Sequence, residues 1–240
     1  MHISYLVPTC YKLDETKRLV SHLLEHKRDL DEIVVGFDTG AGTDEVREYL
    51  ESVEDITFFI NPLLHNGKKD FSHMKNSLKD KAINEWCWQI DDDEIPPVTM
   101  MRKVEDIINA EANIDAIYSC RANIILCDSV EVFDKMNAIT SFKPQGWVEG
   151  KGMLIGWPSR GIRIFKNIDY ISWHKPLHES LEGYRSASSS LPAKREYALE
   201  HDKTPELQHK QHWFYHDECG QRIGTEHLRG TDHDFSKSQV

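Results

Sequence analysis

The chain contains no apolar run approaching the roughly 20 residues that a membrane-spanning helix needs, while 29% of its 240 residues are charged. A soluble protein is therefore expected. Cysteine is scarce: Cys10, Cys87, Cys120, Cys127 and Cys219 are odd in number and dispersed, which argues against a disulfide scaffold, a zinc knuckle or a redox dithiol and for a reducing compartment. Met1 to Thr9 lack the basic start and long apolar core of a secretory leader. The expected location is the cytoplasm, at most peripheral to the inner membrane face. Positive charge is also short, with 29 Lys and Arg against 40 Asp and Glu, a net charge of −11 and a pI near 5.6. Such a balance repels a phosphate backbone and disfavours general nucleic-acid binding. There is no glycine-rich, lysine-bearing phosphate loop, and Gly40-Ala41-Gly42 is only a fragment of a dinucleotide fingerprint.

What the sequence does contain is a repeated strand-then-helix plan. Ile3 to Val7 reads as a strand ending at Pro8-Thr9, and Leu13, Leu19, Val20, Leu23 and Leu24 follow at helical spacing. Ile33 to Phe37 and then Asp44 to Val53 repeat the unit; Ile56 to Ile60 is a third strand, and Phe71 to Ile83 a third helix. Trp86 to Ile90 is a fourth strand, Val98 to Ala110 a helix opened by Pro96-Pro97, and Asp115 to Cys120 and Ile162 to Phe165 are further strands. This alternation predicts an α/β fold with a mainly parallel, Rossmann-like sheet flanked by helices. Ser186 to Ser190 reads as a flexible loop, and Pro205 to Glu218 as a C-terminal helical extension. One domain over residues 1–218 is expected, with a donor-binding half at 1–95, an acceptor half at 96–218 and a polar tail at 219–240.

The chemistry concentrates in Asp91-Asp92-Asp93-Glu94, directly after an apolar strand. Open α/β sheets bind ligands at the carboxyl ends of their strands. If the extended backbone continues, alternation turns Asp91 and Asp93 to one side and Asp92 to the other, so that two carboxylates face one hard cation shared with substrate phosphates. The plainer reading is a solvated acidic cap for the next helix. Crowding four carboxylates after a buried strand favours the cation.

At this point the chain resembles the family 2 glycosyltransferases of GT-A fold, particularly small bacterial and phage-type enzymes acting on lipopolysaccharide or similar glycans. Four segments carry the resemblance: Ser4 to Thr9, Glu32 to Thr43, Asp70 to Asn76, and Trp86 to Pro96 with its DxD-like aspartates. Lys75 stands where the family usually has arginine, and Cys10 where tyrosine or a small polar residue is common. The resemblance implies that Pro8, Thr9, Asp38, Lys75, Asp91 and Asp92 bind a nucleotide-sugar donor, a UDP-sugar foremost. It also implies that Asp91 and Asp93 hold Mn2+ or Mg2+, with His201 as a late ligand. Trp173 to Glu179, after the basic strand Gly161 to Phe165, is similar to the family's acceptor-side segment. On that likeness Glu179 is the base that deprotonates the acceptor hydroxyl in an inverting transfer, His178 orients it or approaches the diphosphate, and Glu94 is a reserve base. The acceptor is a glycan or another hydroxyl-bearing molecule, a hydroxylated nucleobase included.

Other residues have two readings each. His209, His212 and His216 share one face of the C-terminal helix and suit a transition metal, although a polar face beside inward-packing Trp213, Phe214 and Tyr215 is the plainer account. Trp147 and Trp157 suit sugar stacking or simple packing, and Arg160, Arg163, Lys166 and Lys175 suit phosphate binding or ordinary solvated charge. Two other functions stay open: a nucleotidyltransferase, which also places paired carboxylates on an α/β sheet, and a non-catalytic sugar- or nucleotide-binding module of the same shape.

Overall fold

In the computed structural model, the described residues are 1–111, 113–140, 143–205 and 207–208. In chain order they form β1 (Ile3–Thr9), α1 (Leu13–His26), β2 (Glu32–Phe37), α2 (Asp44–Ser52), β3 (Thr57–Ile60), β4 (Leu64–His65), β5 (Lys68–Lys69), α3 (Phe71–Lys81), β6 (Trp86–Gln89) and β7 (Glu94–Ile95). There follow α4 (Val98–Ala110), β8 (Ala116–Leu126), α5 (Val130–Thr140), β9 (Pro144–Val148), β10 (Gly152–Lys166), β11 (Ser172–His174), β12 (Ser180–Glu182), β13 (Ala187–Ser188), a 3-10 turn (Arg195–Tyr197) and β14 (Ala198–Lys203). The result is a mixed α/β structure with a mostly parallel central sheet flanked by helices. None of the described helices is long and apolar enough to cross a membrane.

Among the described residues two compact units divide the chain: 1–120 with 160–199, and 121–159 with the described residues from 200 onward. In the first, the strand order β3-β2-β1-β6-β10 is parallel except for β10, which returns antiparallel beside β6. Strand alternation sorts the side chains into two layers. Ile3, Tyr5, Val7, Ile33, Val35, Phe37, Trp86 and Trp88 face α1, α2 and α4 through Leu19, Val20, Leu23, Val46, Leu50, Met100 and Val104. Leu6, Val34, Cys87 and Phe165 face the opposite way, onto Leu78 of α3 and onto Trp173 and Leu181. Helices on both faces explain why β2 and β6 read as continuous apolar runs rather than as alternating ones. Gly36 is required here, since a Cβ would lie 2.5 Å from the buried Asn61 amide.

In the second unit Ile125, Phe133, Met153 and Ile155 form a cluster of their own. Lys151 pairs there with Glu200 at 2.8 Å and Asp202 at 2.9 Å.

Most sequence-predicted elements fall within a residue or two of their observed positions. The loop expected over Ser186 to Ser190 is a correction: Ala187–Ser188 pairs in parallel with Ala116–Ile117 at the start of β8. Small polar residues gave no strand signal, and the neighbouring strand imposes the pairing. The helical extension from residue 209 onward, with His209, His212 and His216, lies outside the described residues, as does the tail at 219–240.

Candidate active site

The parallel register of β1 and β6 creates the site. Leu6 stands opposite Gln89, and the Ile90 amide donates to the Leu6 carbonyl at 3.0 Å, so the two strands end side by side. Residues just past Thr9 therefore meet residues just past Gln89. The Thr9 hydroxyl donates to Asp92 Oδ2 at 3.0 Å, and Lys12, at the start of α1, places its ammonium 2.6 Å from Asp93 Oδ2 and 3.5 Å from Asp92 Oδ1.

Strand alternation does not continue through the acidic cluster. β6 stops at Gln89, and the Glu94 amide donates to the Asp91 carbonyl at 2.9 Å, closing a turn. Asp92 and Asp93 consequently share Lys12, while Asp91 is turned toward two other cations. Arg163 donates to Asp91 Oδ2 from both terminal nitrogens at 3.2 Å and to Glu94 Oε1 at 3.1 Å. Glu94 is fully buried and also accepts the Asp91 amide at 3.2 Å. It braces the turn.

The third cation is Lys75 of α3. Asp70 caps that helix by accepting the His73 amide at 2.9 Å, which sets the phase of the residues behind it. Asn76 then donates to the Trp173 carbonyl and accepts the Trp173 amide, both at 2.8 Å. This two-way clamp draws the segment after β11 against α3. The Lys75 ammonium lies 5.1 Å from the centre of the Trp173 ring, 3.5 Å from Asp91 Oδ1 and 3.6 Å from Glu179 Oε2. Lys175 (φ 70°) and His178 (φ 55°) hold left-handed backbone in the loop that delivers Glu179. Non-glycine residues in that region cost about 1–3 kcal/mol each and cluster at functional sites.

Electrostatics follow from burial. Burial pushes the Asp92 carboxyl up to about 7; the Lys12 ammonium pulls it down, and the Asp93 charge pushes it up again. Burial disfavours the Lys12 charge, but Asp93 and Asp92 more than offset this and raise its pKa. Arg163 behaves the same way, with Asp91 and then Glu94 overcoming desolvation. The Cys10 thiol is pushed up to about 12 by burial, with Asp92 adding to it, so it offers no thiolate nucleophile.

The structure thus brings Thr9, Lys75, Asp91, Asp92, Asp93, Glu94 and Glu179 together. Asp38 is buried, with Oδ1 accepting the amides of Gly40 and Leu63 at 3.0 Å each, and Pro8 stands opposite Gly36 in the β1–β2 register. His201, Trp147 and Trp157 belong to the second unit, where His201 Nδ1 lies 2.8 Å from Asn123 Oδ1. Lys166 is taken up by Asp115 at 3.2 Å. Lys12 is the residue that sequence reasoning missed. The available signal was its place as the first charged side chain after β1, which becomes informative once β1 and β6 are known to be neighbours.

Asp91 and Asp93 offer hard oxygen donors. Among the described residues no group of three or more His, Cys, Asp and Glu is arranged to hold a metal, so a cation there needs oxygens from a substrate as well. The carboxylates of Asp91, Asp92, Asp93, Glu94 and Glu179 lie beside the cations Lys12, Lys75 and Arg163. Carboxylate oxygens are the donor type that a divalent ion takes.

No protein-family model matches this chain, and no curated protein matches it in sequence. Solved structures do match its fold. S. aureus TarS 1-349 in complex with UDP-GlcNAc superposes with a TM-score of 0.56 at 13% identity, covering 85% of this chain and 59% of that one. The same protein in complex with UDP gives 0.52 at 13% identity, covering 88% and 63%. The mannosyltransferase PcManGT from Pyrobaculum calidifontis, in complex with GDP-Man and Mn2+, reaches only 0.39 at 21% identity over 49% of this chain and 34% of that one, too slight an overlap to bear on the argument. This chain spans less than two-thirds of the length of each of these proteins. What it shares with TarS over most of its own length is the fold.

Proposed function

We propose that the protein is a glycosyltransferase of the family 2, GT-A type, moving a sugar from a nucleotide-diphosphate donor to an acceptor hydroxyl with inversion. The observation that carries this reading is the convergence of Asp91 and Glu179, distant in sequence, on the single ammonium of Lys75 at 3.5 and 3.6 Å. That arrangement joins a diphosphate-binding acid and a candidate base at the carboxyl ends of the central strands, where open α/β sheets bind ligands.

In this reading Asp91 and Asp93 hold a divalent cation, Mn2+ or Mg2+, and Pro8, Thr9 and Asp38 border the nucleoside. Such an ion supplies charge stabilisation for the departing diphosphate. The rest is the work of side chains. Glu179 accepts the acceptor's hydroxyl proton as that oxygen bonds to the anomeric carbon, while the bond to the diphosphate breaks on the opposite face and the diphosphate leaves with the electron pair. Lys75 fixes Glu179 relative to Asp91, and Arg163 with Glu94 fixes the turn, so base and donor keep one spacing. The acceptor is a glycan or another hydroxyl-bearing molecule.

UDP-GlcNAc is the first donor to test, since the TarS complex with that molecule is a fold match. Calorimetric titration with Mn2+ present should give saturable binding, and Asp93→Asn should weaken it by at least about tenfold, the effect of losing one charge-assisted ligand. Absence of binding by UDP-GlcNAc and every other common nucleotide sugar, or an Asp93→Asn variant that binds as tightly as the parent, overturns the proposal.

A further inference from the structure

We propose that Lys12 is the resident counter-cation of the acidic turn, and that the divalent ion entering with the donor takes over its place on Asp93. This rests on the reading of Asp91 and Asp93 as metal carboxylates. It goes further by assigning a role to a residue at the end of a different strand.

The geometry is that of a cation already seated among carboxylates. Lys12 Nζ is 2.6 Å from Asp93 Oδ2 and 3.5 Å from Asp92 Oδ1, and its side chain is 14% exposed. A nearly buried carboxylate such as Asp93 is costly without a partner, and the Lys12 ammonium is that partner at rest. An ammonium has three donors and no acceptor, so it adds nothing to a metal's coordination shell, and its charge repels an ion bound to the same oxygens. The two compete.

Lysine suits an exchangeable partner. Its charge sits on a flexible four-carbon stem with three rotatable donors, whereas an arginine fork holds a fixed geometry. Arg163 grips Asp91 and Glu94 from the other side of the turn with terminal nitrogens at 3.1 to 3.2 Å, so the turn keeps its shape if Lys12 lets go. Thr9 stays on Asp92 by a neutral hydrogen bond at 3.0 Å. Within a donor complex the displaced ammonium has a natural new partner in the diphosphate. Ion and donor should therefore bind better together than the ion does alone, a coupling free energy of the ordinary kind.

The test measures Mn2+ binding to the full chain by calorimetry without nucleotide. Lys12→Met should bind Mn2+ about tenfold more tightly than the parent, and Lys12→Arg, which keeps the charge, should bind it no more tightly than the parent. Unchanged or weaker Mn2+ affinity in folded Lys12→Met overturns the inference. A parent protein that binds no Mn2+ even with UDP-GlcNAc present overturns the metal reading instead, so the two failures are distinguishable. Should Lys12→Met not fold, the parent protein gives the answer by amine acylation read by mass spectrometry. Mn2+ alone should speed modification of Lys12 severalfold while leaving the exposed Lys194 unchanged, and equal rates for Lys12 with and without Mn2+ overturn the inference.

Discussion

The two ends of the central sheet use the same residue types for opposite purposes. At the amino end of β1, Asp31 is buried and accepts the Ile3 amide at 2.8 Å together with two nitrogens of Arg28 at 2.8 and 2.9 Å, while Arg28 reaches on to Glu105 at 2.6 Å. One guanidinium satisfies two carboxylates at short range, and the network is closed. At the carboxyl ends of β1 and β6, Lys12 is short on Asp93 at 2.6 Å, but Arg163 stands 3.1 to 3.2 Å from Glu94 and Asp91, and Lys75 stands 3.5 to 3.6 Å from Asp91 and Glu179. Short, bidentate contacts mark a lock. Longer contacts mark a place where a charged ligand completes the set.

That contrast separates the ends by what a substitution should remove. The largest effect belongs to Glu179. Glu179→Gln keeps the side chain's size and its reach toward Lys75 but cannot take a proton. Transfer should fall by about 10²- to 10⁴-fold, the usual contribution of a positioned base, with UDP-GlcNAc affinity unchanged. Single-turnover kinetics beside calorimetry checks this, and full transfer activity in the variant moves the base elsewhere.

The sheet was legible in the sequence because β1, β2 and β6 have strong local signals: apolar runs bounded by polar residues, each ending at the place where the chain leaves the core. The acidic turn was legible for the same reason, since four carboxylates directly after a buried strand are conspicuous. Its internal geometry was not. The alternation expected of Asp91 to Asp93 assumed an extended backbone, and the hydrogen bond from the Glu94 amide to the Asp91 carbonyl at 2.9 Å replaces it with a turn that hands Asp92 and Asp93 to one lysine. Nothing local pairs Lys12 or Arg163 with the acidic turn. Their partners lie 81 and 72 positions away, and only the parallel pairing of β1 with β6 and the antiparallel return of β10 bring them within reach.

At the amino end the loss should fall on stability alone. Asp31→Asn keeps one acceptor oxygen for the Ile3 amide and removes the charge that Arg28 grips. Breaking a buried pair costs about 3–5 kcal/mol when the remaining charge stays buried. The Arg28 side chain is 33% exposed and can recover water, so the expected loss is about 2–3 kcal/mol, below that range. Urea denaturation measures it, and calorimetry of the same variant should return the parent's donor affinity. A change in donor affinity would mean that the two ends are coupled through the sheet.

Asp115 gives the smallest and most diagnostic effect, because its contribution can be switched by pH. It lies at the amino side of the same sheet, where β10 ends beside the start of β6. Its Oδ2 accepts the Arg185 amide at 3.0 Å and its Oδ1 the Lys166 ammonium at 3.2 Å. The Arg185 hydrogen bond, and after it the Lys166 contact, hold the carboxyl below the usual aspartate range despite desolvation. A depressed carboxylate pKa stabilises the folded state above the unfolded value, near 3.9, and that stabilisation disappears as pH falls through the lower folded value. Asp115→Asn should therefore cost about 1 kcal/mol at neutral pH, the net worth of such hydrogen bonds, and the gap from the parent should close as the medium is acidified below about pH 4. Melting temperatures of both proteins across that range test the sign. If the gap widens on acidification, Asp115 is held above its ordinary pKa, and the amino end does not have the closed character that sets it apart from the acidic turn.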